Sequence, residues 1–114
     1  ATNALLGVQV TAIAELIGLL RRNGADAQKI MGIIAGTAVW STYAQRAIGA
    51  LLSGEAPVMF PVELIEKDFG YALNAAGSPD AAPTIAAARA VFQRGMNEGL
   101  GDANLTSVAK LFKA

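Results

Sequence analysis

The spacing of apolar residues is the feature that most constrains this chain, because it follows the period of an α-helix. Ala44, Ala47, Ile48, Leu51 and Leu52 recur at three- and four-residue steps, which is the stripe of an amphipathic helix. No segment alternates apolar and polar residues over the length of a strand, and this argues against a sheet. The pattern therefore predicts an all-α fold.

Glycine and proline mark the breaks between five to six predicted helices. The first helix covers about residues 3–22, the second is capped by Asp26, and Pro61 and Pro83 open the fourth and fifth. Asp102 or Asn104 caps a last short helix. The side chains expected to face inward, beside those of the third helix, are Ile30, Ile33, Ile34, Val62, Ile65, Phe69, Ala72, Leu73, Ala76, Ile85, Ala88, Phe92, Met96, Val108, Leu111 and Phe112.

The first predicted helix is apolar almost all round between residues 5 and 20. This stretch is shorter than the roughly 20 residues that span a membrane, and it contains the polar residues Gln9, Thr11 and Glu15. It also lacks the basic flank of a signal peptide. We therefore expect a long central helix buried in a single domain (residues 1–114), with no membrane partner.

Composition excludes several classes of function. Nine basic and nine acidic residues are scattered, so no basic stripe is available for nucleic acid. The absence of Cys and His excludes disulfides, thiolate and imidazole catalysis, and zinc or haem sites, and we expect no metal. Hydrophobic residues make up 54% of the chain, above the ~45–50% of ordinary domains, which predicts apolar surface covered by a partner. Nothing suggests export, and we expect a cytoplasmic location.

Two places in the sequence have features that core packing does not explain. The outer face of the fourth helix combines Leu64 and Tyr71 with Lys67, and Phe60 lies two turns before Lys67, on the same side if it sits at the helix start. Such a face suits a surface covered by another domain. The alternative is an exposed ion pair between Glu63 and Lys67. The remaining residue of this face is Asn74.

The second place is Asn3, at the start of the central helix. An Asn in this position is typical of an N-cap if the chain begins at Ala1. No Met precedes Ala1, however, and we expect a preceding segment.

These positions carry a resemblance to the C-terminal domain of the β-hydroxyacid dehydrogenases, a family that includes 3-hydroxyisobutyrate dehydrogenase and tartronate semialdehyde reductase. The resemblance extends over essentially the whole chain in one order. The matching stretches are Asn3-Ala4-Leu5-Leu6-Gly7 with Ala14-Glu15 and Asn23-Gly24-Ala25-Asp26, Trp40-Ser41, Phe60 followed by Lys67-Asp68-Phe69-Gly70-Tyr71-Ala72-Leu73, and Gly99-Leu100-Gly101-Asp102-Ala103-Asn104-Leu105.

The resemblance implies five to six helices around a long central helix, similar to the C-terminal domain of 6-phosphogluconate dehydrogenase. It also implies an NAD or NADP cofactor, bound mainly by an N-terminal Rossmann domain that this sequence lacks. The family's catalytic lysine lies four residues before the position of Asn3, outside this sequence. Asn3 would support that lysine or bind substrate, Lys67 would contact cofactor or substrate, and Phe60 would pack near the nicotinamide.

The implied activity is oxidation or reduction of a small 3-hydroxy (or 2-hydroxy) acid or its semialdehyde, and the chain alone is expected to be inactive. Its expected partners are its own Rossmann domain, the small-molecule substrate and further copies in a dimer or tetramer. Two alternatives stay open at this point. The first is that the chain is a free-standing helical protein-interaction module. The second is that it is a domain of an imine-reductase-like relative.

Overall fold

The computed structural model describes residues 1–113, and its regular secondary structure is helical. The α-helices are α1 (Thr2–Arg22), α2 (Ala27–Ile34), α3 (Thr42–Ser53), α4 (Val62–Ala76) and α5 (Pro83–Asn97). Two segments, Pro79–Ala81 and Leu105–Phe112, are 3₁₀-helices. No strand forms within these residues, where an isolated bridge joins Pro61 and Asn104. The predicted all-α class is confirmed.

Helix α1 is the central element and packs against each of the other α-helices and the C-terminal 3₁₀-helix. Glycine allows two of these close approaches. A Cβ on Gly7 would stand 2.7 Å from Phe69 Cε2 and even closer to its Cζ, and one on Gly18 would stand 2.5 Å from the carbonyl oxygen of Phe112. The predicted central position of this helix is therefore correct. Among the described residues, α1 is long and apolar enough to be a candidate membrane span. Within its most apolar stretch, 39% of the residues are buried in the domain.

The helix ends follow the local signals in the sequence. The Asp26 carboxylate accepts a hydrogen bond from Lys29 N at 3.1 Å and caps α2. Ser41, which the sequence analysis did not assign, caps α3 in the same way through Ala44 N. Gly54 ends α3 with a φ of 76°, a conformation that costs glycine little.

The core forms where α1, α4 and α5 meet. Phe69 and Phe92 are fully buried, with ring centroids 5.5 Å apart in an edge-to-face arrangement. Their predicted inward orientation is confirmed, as is that of Val62, Ile65 and Val108.

Two inward assignments are wrong. Met96 is 39% exposed, and Gly95 is buried instead, on the side of α5 that faces Val108. Ile33 is 64% exposed, because the short helix α2 turns Ala27 and Met31 toward the core.

Candidate functional site

Asn3 lies inside the first turn of α1 and faces α4. The N-cap of α1 is Ala1, and no side chain caps this end. The N-cap interpretation of Asn3 is therefore wrong. Its amide nitrogen Nδ2 instead donates a hydrogen bond of 2.8 Å to Oδ2 of Asp68.

Asp68 belongs to this site although the sequence predicted no role for it beyond membership of the Lys-Asp motif. The residue is half-buried on the side of α4 that faces α1, between the core residue Phe69 and the exposed Tyr71. A carboxylate at the edge of an apolar stripe needs a donor. The sequence could have indicated a buried hydrogen bond of Asp68 from its place at the edge of the apolar stripe of α4. It could not have identified Asn3 as the donor.

A cleft of about 320 Å³ opens beside this hydrogen bond, between the start of α1 and the second half of α4. Alanines on both helices leave the space free, and Asn3, Asp68 and Tyr71 supply the polar atoms. The lining residues are Ala1, Asn3, Ala4, Asp68, Tyr71, Ala72 and Ala75. Because Nδ2 of Asn3 is held by Asp68, its Oδ1 has a fixed direction and is available to accept a hydrogen bond from a hydroxyl or an ammonium group.

The outer face of α4 is exposed, as the sequence predicts. Leu64 and Tyr71 are 42% and 60% exposed, and Lys67 is exposed as well. No ion pair joins Glu63 and Lys67 among the residues that the structure describes. Glu63 lies against the Gly101 loop, where its backbone N–H donates to Gly101 O at 2.9 Å. Lys67 therefore places an ammonium group on a partly apolar surface without a carboxylate partner in the described part of the chain.

Phe60 precedes α4 and its N-cap Pro61, so the condition under which it would share a side with Lys67 is not met. Pro61 is extended, with a ψ of 148°, so α4 begins after it and the two-turn spacing from residue 60 does not apply. Phe60 is half-buried in a separate groove of about 560 Å³ between α1, α3 and the C-terminal 3₁₀-helix, which Leu6, Tyr43 and Arg46 also line. Burial raises the pKa of Tyr43 in this groove.

Asn104 fixes the segment that precedes α4. Asn104 is one of the two residues predicted to cap the last helix, and it does occupy the N-cap position of the C-terminal 3₁₀-helix. Its side chain, however, makes no capping hydrogen bond there. Its Oδ1 accepts hydrogen bonds from the backbone N–H groups of Met59 and Phe60 at 2.9 and 3.1 Å, and its Nδ2 donates to Thr106 Oγ1 at 2.8 Å. Buried Asn104 thus determines where Phe60 and the start of α4 lie.

The architecture is that of the helical domain of 3-hydroxyisobutyrate dehydrogenase. The chain superimposes on a crystal structure of that enzyme from Salmonella typhimurium with a TM-score of 0.84 and 24% sequence identity, over 97% of this chain and 39% of the enzyme. Residues 1–112 match the family described as "NAD-binding of NADP-dependent 3-hydroxyisobutyrate dehydrogenase". The chain belongs to this family, and the resemblance to the β-hydroxyacid dehydrogenases is confirmed. The family description also agrees with the nicotinamide cofactor expected from the sequence.

A characterised relative is L-threonate dehydrogenase of Cupriavidus necator. It is 29% identical over 109 residues, which represent 95% of this chain and 37% of the relative. The chain thus spans less than half the length of each of these two proteins.

Proposed function

We propose that this chain is the helical domain of an NAD(P)-dependent oxidoreductase that acts on a small 3-hydroxy (or 2-hydroxy) acid or its semialdehyde. The observation that carries the proposal is the uncovered cleft at the start of α1, where Asp68 holds the amide of Asn3 beside the exposed face of α4. The names of the relatives support the substrate class.

The cleft is proposed to be one wall of the active site, with a Rossmann domain N-terminal to Ala1 as the other wall. The greater length of the relatives supports this arrangement. A dinucleotide pyrophosphate needs several backbone N–H groups at a strand–turn–helix junction, and the described residues contain no strand. The polar groups of the cleft fit a smaller partner, such as the hydroxyl and carboxylate of a hydroxy acid.

Each residue has a proposed task. The Oδ1 of Asn3 accepts a hydrogen bond from the substrate hydroxyl or from the lysine expected four residues upstream, and Asp68 fixes its orientation. The Lys67 ammonium attracts the carboxylate of the substrate or an anionic group of the cofactor. The bound nicotinamide supplies hydride transfer. Contact of Phe60 with the nicotinamide stays a prediction, and so does the cytoplasmic location.

The test compares the product of the complete gene with the 114-residue chain. NAD(P)H formation is measured with a panel of small 2- and 3-hydroxy acids, and dinucleotide binding is measured by calorimetry. We expect activity and binding from the complete protein and neither from the chain alone. A reading frame with its start codon directly before Ala1, and a product without dehydrogenase activity, would contradict the proposal and favour a helical interaction module.

A further inference from the structure

The groove that contains Phe60 is larger than the cleft beside Asn3, at about 560 Å³, and has mostly apolar walls. Ala47 and Ala50 of α3 leave the space open, while Leu6 and Phe60 supply apolar surface. Pockets that bind whole small molecules have volumes of about 300–1,000 Å³. The groove is therefore large enough to hold part of a small organic ligand.

Arg46 is the charged residue of this groove. Among the described residues that line it, no other carries a charge. Arg46 is exposed, and none of the ion pairs within residues 1–113 involves it. The carboxylate of the loop after α3, Glu55, is already paired with Lys110. A guanidinium binds a carboxylate through two parallel hydrogen bonds, so the charge of the groove complements an organic acid.

Tyr43 supplies a second hydrogen-bond donor to the same groove. It precedes Arg46 by three residues, so the two side chains lie on one side of α3. Tyr43 is half-buried, and burial raises the pKa of its hydroxyl, which therefore stays protonated. The groove thus combines a neutral O–H donor and a cation with apolar walls, and no carboxylate of the described residues lines it.

Asn3 lies on α1 between this groove and the cleft that it lines with Asp68. Successive residues of an α-helix are rotated by about 100°. Leu6, which lines the groove, is therefore about 60° from Asn3 in one direction, and Ala4, which lines the cleft, is about 100° from it in the other. Leu6 is also only about 4.5 Å further along the helix axis. A ligand bound at Asn3 can thus extend directly into the groove.

We propose that Arg46 and Tyr43 determine substrate specificity by binding a second carboxylate, at the end of the substrate remote from its reacting hydroxyl. The preferred substrate is then a short hydroxy diacid. Its hydroxyl lies at Asn3, its carbon chain lies against Leu6 and Phe60, and its far carboxylate pairs with the guanidinium. This inference rests on the proposed function, because it assumes that the substrate hydroxyl is bound at Asn3.

Matched substrate pairs test the proposal on the product of the complete gene. The probes are 2-hydroxyglutarate and 3-hydroxyglutarate, each compared with the derivative whose far carboxylate is an amide. The amide has nearly the same shape without the charge, so the ratio of kcat/KM for acid and amide isolates the far carboxylate. We expect a ratio of at least ~tenfold in the parent. Arg46→Gln should reduce the ratio to near one and leave kcat/KM for the amide unchanged.

Further variants separate the two donors from a general effect of charge. Tyr43→Phe removes the hydroxyl alone and should lower the ratio ~threefold. Arg46→Lys retains the charge without the planar pair of donors and should give an intermediate ratio. Arg22→Gln, at the exposed end of α1, is the matched control and should keep the ratio of the parent. Circular dichroism of each variant checks that the fold is unchanged.

The outcomes distinguish this inference from the proposed function. A parent that oxidises acid and amide equally well, or that oxidises short hydroxy monoacids but neither diacid, would overturn the inference alone. An equal loss for acid and amide in Arg46→Gln, with a raised KM for the nucleotide, would also overturn it, because Arg46 would then bind the cofactor. A complete protein that oxidises no hydroxy acid would overturn both.

Discussion

The amide of Asn3 donates to the carboxylate of Asp68 across 2.8 Å and so joins the first turn of α1 to the middle of α4. The two residues are 65 positions apart in the chain. This hydrogen bond orients the polar end of the cleft between the two helices. It also offers a stability measurement that is independent of any enzymatic activity.

A double-mutant cycle with Asn3→Ala and Asp68→Ala should reveal this bond in denaturant unfolding. A hydrogen bond to a charged group contributes about 1.5–3 kcal/mol, and partial burial favours the lower end, so we expect a coupling energy of ~1–2 kcal/mol. The control cycle pairs Asn3→Ala with Glu63→Ala, which should be additive. Additive effects in the Asn3–Asp68 cycle would contradict the structure.

Gly7→Ala should destabilise the chain although alanine is the better helix former. The new Cβ would collide with the buried ring of Phe69, and overpacking costs about 1–3 kcal/mol against a helix gain of about 1 kcal/mol. We expect a net loss of up to ~2 kcal/mol in the free energy of unfolding. Gly49→Ala in α3 is the control, because nothing lies within 4 Å of its Cβ position, and it should stabilise by ~0.5–1 kcal/mol. The same sign for both variants would show that the α1–α4 approach is wrong.

Asn104→Ala should destabilise more than Asn104→Asp. Alanine leaves the N–H groups of Met59 and Phe60 without their acceptor, at about 1–3 kcal/mol for each group that stays buried. Aspartate retains the acceptor for both N–H groups and can accept from the Thr106 hydroxyl, so its cost is the desolvation of a buried carboxylate, which these hydrogen bonds partly offset. Thermal or denaturant unfolding measures both variants, and equal losses would refute the assigned hydrogen bonds.

The ion pair between Lys110 and Glu55, 2.8 Å apart, predicts a pH effect at an exposed site. The hydrogen bond and charge of Lys110 lower the pKa of Glu55, so the pair stabilises the fold above the ordinary pKa of a glutamate and loses this effect as the pH falls through the lowered value. A carboxyl titration followed by NMR should give a lowered midpoint that rises toward the ordinary value in Lys110→Met. An unchanged midpoint in that variant would exclude the pair in solution.

The sequence predicted the parts of the fold that depend on local spacing. Val62, Ile65 and Phe69 recur with the helical period and are all buried, and glycine marks the end of α3 at Gly54. It failed where the choice lies between two neighbouring residues, since α5 turns Gly95 and not Met96 toward the C-terminal 3₁₀-helix.

The candidate site was less predictable for a related reason. Asn3 and Lys67 were identified as unusual, but the partner of Asn3 depends on how α1 and α4 cross, which local periodicity does not encode. The two-turn spacing from Phe60 to Lys67 does not apply, because the extended Pro61 separates Phe60 from α4. Pairings between distant helices require the packed structure.

We propose above that the start of α1 and the outer face of α4 form one wall of a dehydrogenase active site. Its most direct test is kcat/KM of the complete protein for its hydroxy acid substrate after Lys67→Ala, with Lys29→Ala on α2 as the control and unfolding measured for both. We expect a fall of at least ~tenfold, equivalent to about 1.4 kcal/mol of transition-state stabilisation, for Lys67→Ala alone and without loss of stability. An unchanged kcat/KM would contradict it and would leave Lys67 as an ordinary surface residue.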